Sequence, residues 1–168
     1  TLEKVQMYGL DQVVAWARAW VDAVGSDRKV CITDSLGRKW EGELHGDWSL
    51  TDWAGLVGRV ADLKGAYKQL PVHPDHARFS VIAVLCPEDG GVKLFHGLSL
   101  MFGQTAAVYG FLRFSRAIAM LSAKLLNILT VEFFDDFTQV ENSTLTESAL
   151  ETMDTSFSCM PLQFWASV

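Results

Sequence analysis

Phe133-Phe134-Asp135-Asp136-Phe137 places two adjacent carboxylates between two apolar runs. Burying such a pair without a counter-charge is costly, so the segment predicts a turn where the acids meet water or a cation. A polar hairpin tip is one reading, because Asp is a common turn residue. A divalent ion that relieves the repulsion is the other. Asp62 ends a second apolar run far upstream, Val60-Ala61-Asp62-Leu63. Acids at the ends of neighbouring strands can converge on a pair of Mg²⁺ ions, which take a few carboxylates together with substrate phosphates. Two such ions about 3.5–4 Å apart activate an attacking oxygen and stabilise a leaving one. The chemistry these residue types could perform is phosphoryl transfer.

Other reactive groups give weaker signals. Cys31, Cys86 and Cys159 lie far apart and form no C-x-x-C pair, so neither a zinc knuckle nor a disulfide framework is expected. His73 and His76 flank Pro74 and could ligate a metal or sit as solvated loop residues. The charge is lopsided. The chain of 168 residues carries a formal net charge of −6, yet no Lys or Arg follows Lys124, where seven of the 20 acids lie. The first 124 residues therefore hold all 14 bases against 13 acids. With 49% hydrophobic and 20% charged residues the composition is globular. The longest apolar stretch, Ala117 to Phe134, is broken by Lys124, Asn127 and Glu132, which disfavours a membrane span.

The elements that must position the acids follow from periodicity. Leu10, Val13, Val14, Ala17, Trp20, Val21 and Val24 predict an amphipathic helix stopped at Gly25. Residues 28–33 and 38–44 predict a hairpin across Asp34-Ser35-Leu36-Gly37. Ser49 or Thr51 caps a short helix over residues 52–58. Strands are expected over 60–63, 79–85 and 92–96, and a long helix over 105–127. A strand at 128–134 returns after the acidic turn at 137–140, and Thr144 or Thr146 starts a last helix toward Met153. Helices and strands alternate without βαβ regularity, which predicts an α+β fold with an antiparallel sheet.

Three segments together resemble the palm motifs of retroelement reverse transcriptases. Asp62-Leu63-Lys64-Gly65-Ala66-Tyr67-Lys68-Gln69-Leu70-Pro71-Val72-His73-Pro74 looks like the first. Leu100-Met101-Phe102-Gly103-Gln104-Thr105-Ala106-Ala107 looks like the second, and Phe133-Phe134-Asp135-Asp136 the third, in the family's order. The resemblance spans roughly residues 28–142 and implies a retrotransposon-type RNA-directed DNA polymerase: a right-hand palm packed on helices, with partial fingers and the thumb missing. By resemblance, Asp62 and Asp135 would hold two Mg²⁺ (or Mn²⁺) ions with the Leu63 carbonyl, and Asp136 would support them. Tyr67 occupies the place of the steric gate against a ribose 2′-OH. Gly65 and Ala66 would approach the triphosphate. Phe102, Gly103 and Gln104 would line the nucleotide and template pocket. The implied partners are an RNA or DNA template with its primer, and a dNTP.

Departures accompany the match. Met101 stands where the family usually has Pro, Phe133 where Tyr is frequent, and Gly65 where relatives carry an acid or polar residue. The family's lysine-bearing segment after the third motif has no counterpart. Arg28, Lys29, Arg38 and Lys39 are the basic candidates for phosphate contacts. The expected organisation is an N-terminal helical segment (1–27), a partial fingers and palm domain (28–155) and an atypical tail (156–168). It would belong to a longer polyprotein that supplies thumb and RNase H or recombinase segments. Three functions fit: the nucleotidyltransferase itself, a catalytically inactive remnant, or another two-metal phosphoryl-transfer protein with a palm-like fold. The expected setting is intracellular, cytoplasmic or nuclear, not secreted, and with no membrane partner.

Overall fold

The computed structural model describes residues 8–160 and the backbone of Phe164–Ser167. Residues 1–7 of the N-terminal segment, and 161–163 and 168 of the tail, lie outside the described residues.

Helix α1 (Leu10–Asp22) leads into the hairpin β1 (Lys29–Thr33) and β2 (Lys39–Glu43). The periodicity ran on to Val24, but Val24 leaves the helix to bridge Val30. Helix α2 (Leu50–Ala54) starts earlier than expected, at a capping box in which Ser49 and Asp52 satisfy each other's backbone amides. It stops at Gly55, which frees residues 56–59 to lengthen the next strand, β3 (Leu56–Leu63). Two 3₁₀ turns (Ala66–Gln69 and Pro74–Phe79) lead to a second hairpin, β4 (Val81–Leu85) and β5 (Val92–His96). Phe79 belongs to the turn because Pro74 begins one there. Helix α3 (Thr105–Leu125), strands β6 (Thr130–Phe133) and β7 (Asp136–Asn142), helix α4 (Thr146–Cys159) and strand β8 (Phe164–Ser167) complete the chain.

The central sheet has the order β6-β7-β3-β8, and every neighbouring pair is antiparallel. β3 and β6 therefore run parallel with β7 inserted between them, and α3 connects them. β7 and β8 are parallel in the same way, split by β3 and joined by α4. This is a βαββαβ unit of split βαβ type. The α+β class and antiparallel sheet agree with the sequence reading; the regularity of two interleaved crossovers does not. That regularity is hidden in sequence because β7 follows β6 as a hairpin while its second partner, β3, is remote.

One face of the sheet packs on α3 and α4. Ala61, Leu63 and Phe137 meet Ala107, Phe111 and Ile118 of α3 and Ala149, Met153 and Phe157 of α4 in one buried cluster. The buried stripe of α3 continues through Ser115 and Ser122, at helical spacing. Residues 156–159 end α4 and 164–167 form the edge strand β8, so the tail completes this layer. Asn142, wholly buried at the end of β7, ties α2 to the sheet. Its Nδ2 donates to the carbonyls of Asp52 and Trp53, and its Oδ1 accepts from the Thr144 amide and hydroxyl. Among the described residues no helix is long and apolar enough to cross a membrane, and Cys31, Cys86 and Cys159 are free thiols.

Candidate active site

The register of β3 and β7 sets Asp62 directly opposite Asp136. Directly opposed residues of an antiparallel pair carry their side chains on the same face. Ala61 and Phe137 occupy the helix-covered face, so Asp62 and Asp136 stand on the other. Asp135 belongs to the two-residue loop Phe134-Asp135, closed by the pair Phe133 and Asp136. Its carbonyl accepts a hydrogen bond from the Leu63 amide at 2.9 Å, which locks the loop onto the end of β3. Such loops favour Gly where φ is positive. Here Phe134 adopts φ 55°, a conformation that costs about 1–3 kcal/mol and concentrates at functional sites.

All three acids are half-buried. The Asp136 carboxyl is raised above its ordinary value, first by burial, then by the charges of Asp135 and Asp62. The Tyr67 phenol is likewise raised, first by burial and then by the Asp135 charge. The four groups therefore share one electrostatic neighbourhood. Tyr67 is held from two sides: it stacks on Phe111 with 4.4 Å between ring centroids and meets Phe102 at 4.7 Å.

The remaining predicted residues differ in burial. Leu63 is buried beneath the acids. Gly65 (φ 71°) and Ala66 (φ 38°) form a left-handed bend before the 3₁₀ turn, and the Gly65 carbonyl accepts from the Lys68 amide. Phe102 is 76% exposed apart from its contact with Tyr67. Gly103 has φ 87°, and a Cβ built there would meet nothing within 4 Å. Gln104 occupies the N-cap position of α3 with no side-chain capping bond. Sequence reasoning missed Phe111 as the platform for Tyr67. It also missed the strain at Phe134, for which the signal was a bulky residue in a two-residue loop.

Three of the four basic candidates are engaged by their own chain. Arg28 donates to the carbonyls of Leu44 and His45, Lys29 pairs with Asp27 at 3.1 Å, and Arg38 pairs with Asp34. Arg116 of α3 lies 3.5 Å from Glu132 of β6. His73 and His76 are exposed, with ring centroids 5.6 Å apart.

No protein-family model matches the chain, and no curated protein matches it.

The donors at the strand ends are all oxygens, the set a hard divalent cation takes. Mutual repulsion of charge at Asp136 is the condition such an ion relieves. Donor type alone suits Asp62, Asp135 and Asp136 to Mg²⁺ or Mn²⁺. Among the described residues no three His, Cys, Asp or Glu side chains form a group that could hold a metal ion, these three acids included.

Proposed function

We propose that this chain is the palm of a retrotransposon-type reverse transcriptase and that Asp62, Asp135 and Asp136 serve nucleotidyl transfer from a dNTP to a primer 3′-OH. The observation that carries the reading is the pairing of Asp62 with Asp136 at the mouth of a βαββαβ sheet, with Asp135 bonded to the same strand end. The three sequence motifs thereby meet around one point: the first through Asp62 and Tyr67, the second through Phe102 against Tyr67, the third through the acidic loop.

In this reading Asp62, Asp135 and the Leu63 carbonyl would hold two divalent ions, with Asp136 in support. The bound ions would supply neutralisation of phosphate charge. The chain's own residues position the reactants. Tyr67, 5% exposed and fixed between Phe111 and Phe102, would be a rigid gate against a 2′-OH. The backbone of Gly65 and Ala66, open because Gly65 lacks a side chain, receives the triphosphate. Phe102 and Gly103 offer an exposed ring and an unobstructed backbone to the base pair. Such positioning is the protein's share of phosphoryl transfer.

A second reading, a palm that folds but does not synthesise, is favoured by one observation. Residues 125–168 bring seven acids and no base, and duplex affinity depends on neutralised phosphates. Primer extension separates the two. Extension on a template and primer should be weak and salt-sensitive in the chain alone, and lost in Asp62→Asn and Asp135→Asn. A basic thumb segment joined after Val168 should raise it; joining earlier would delete Met153, Phe157 and β8 from the fold. No extension with the added segment, with folding intact, would select the inactive palm. Extension that persists in both Asn variants would sink the site assignment.

A further inference from the structure

The helix-covered face of the sheet carries polar atoms for which nucleotidyl transfer has no use. Thr130 and Glu132 stand opposite Gln139 and Phe137. They therefore point away from the face of Asp62 and Asp136. Beside them α1, α3 and β6 border a cleft of about 870 Å³. Tyr8, Trp16 and Met120 supply apolar wall, and Ala119 and Ala123 keep the α3 side low. Thr130 is 4% exposed, and its hydroxyl has no hydrogen-bond partner among the described residues. Arg116 reaches into the same cleft. Its Nε lies 3.5 Å from Glu132 Oε1, and its guanidinium lies 5.1 Å from the Tyr8 ring centroid. Its Nη2 is buried and has no hydrogen-bond partner among the described residues. Glu132 is nine-tenths buried.

Buried polar atoms without partners are rare, and each one costs desolvation free energy that a ligand can recover. The cleft also has the volume of a small-molecule site with aromatic walls and a few convergent polar groups. The ligand's chemistry follows from the donor inventory. Arg116 Nη2 can only donate, so it needs an acceptor. The Glu132 carboxylate accepts, so it needs a donor nearby. The Thr130 hydroxyl serves either role. Arg116 and Glu132 compensate each other's charge, which favours a neutral molecule. Tyr8 and Trp16 favour a flat ring.

We infer that the cleft between α1, α3 and β6 is a binding site for a neutral, flat nitrogen heterocycle of one or two rings that presents an N–H beside a C=O. The carbonyl accepts a hydrogen bond from the Arg116 guanidinium, and the ring N–H donates to Glu132. The site is independent of the proposed polymerase reading, because it lies on the other side of the sheet and uses none of its residues.

The test is an amide-resolved NMR titration of the 168-residue chain with 2-quinolone and with N-methyl-2-quinolone, which keeps the carbonyl and loses the donor. 2-Quinolone should give saturable shifts centred on Arg116, Thr130 and Glu132. The N-methyl compound should bind at least tenfold more weakly. Arg116→Lys, which keeps the charge and loses the planar fork, should weaken 2-quinolone binding about tenfold. Thr130→Val removes the orphan hydroxyl with the shape preserved, so it keeps the fold even where Arg116→Lys does not, and it should weaken binding several-fold. Asp62→Asn should leave the titration unchanged. No saturable shift up to the solubility limit would overturn the inference. So would equal affinity for the two compounds, or shifts centred on Asp62 and Asp136.

Discussion

Replacing Asp136 by Asn should stabilise the metal-free protein and weaken its response to divalent ions. Opposed residues of an antiparallel pair have Cα atoms about 4.5–5.5 Å apart, so carboxylates on one face lie roughly 6 Å from each other. Two like charges at that distance repel by about 0.7 kcal/mol in water and about 2.8 kcal/mol at an effective dielectric of 20. Asp62 and Asp136 are half-buried, which puts the relief at about 1–2 kcal/mol. At this chain length that is roughly 2–8 °C in Tm. The sign with pH follows from the direction of the shift. Asp136 is held above its ordinary value of 3.8, so its ionisation costs stability. That cost is absent below the ordinary value and complete once pH exceeds the raised one. The variant should therefore match the native chain at about pH 3 and exceed it increasingly as pH rises toward neutrality. Mg²⁺ or Mn²⁺ at 100 times its Kd would add about 2.7 kcal/mol to the native chain, reversing the order of the two melting temperatures. Differential scanning calorimetry at several pH values, with and without the ion, measures all of this. A variant less stable at pH 7, or a gain that does not depend on pH, would refute the electrostatic reasoning.

Other outcomes follow from the packing. Asn142→Ala removes four hydrogen bonds at a wholly buried position and strands their partners, and should cost about 3–4 kcal/mol in urea unfolding. Phe111→Ala should cost about 3–5 kcal/mol, and fluorescence quenching should show Tyr67 newly accessible once the stacked ring is gone. Gly103→Ala meets no steric obstacle, but its φ of 87° strains any L-residue, so a loss of about 1 kcal/mol is expected by chemical denaturation. A larger loss would mean that the loop rearranges.

The sequence was most informative where structure is local. Asp34-Ser35-Leu36-Gly37 and Pro87-Glu88-Asp89-Gly90-Gly91 specify their own hairpins, and Ser49 with Asp52 specifies a helix start, because turns and caps are satisfied by residues a few positions apart. The placing of acids beside two apolar strands was legible for the same reason. The packed face of α3 was not. Apolar residues nearly encircle that helix, and strongly hydrophobic Leu121 and Leu125 are 49% and 70% exposed. Ala107, Ser115 and Ser122 face the sheet because small side chains permit close approach, a criterion that hydropathy does not register.

The strand order, too, belonged to the tertiary structure. Alternation with period two marks a strand and its faces but names no partner, and a shift of one residue reverses every side chain. Only the insertion of β7 between β3 and β6, set by the crossovers α3 and α4 packing on one face, brings Asp62 opposite Asp136. The amino-acid sequence by itself determined that Asp62, Asp135 and Asp136 lie where apolar strands end or begin. Their meeting on the uncovered face depends on long-range pairing, which is decided by the burial of Phe111, Phe137, Met153 and Phe157 together.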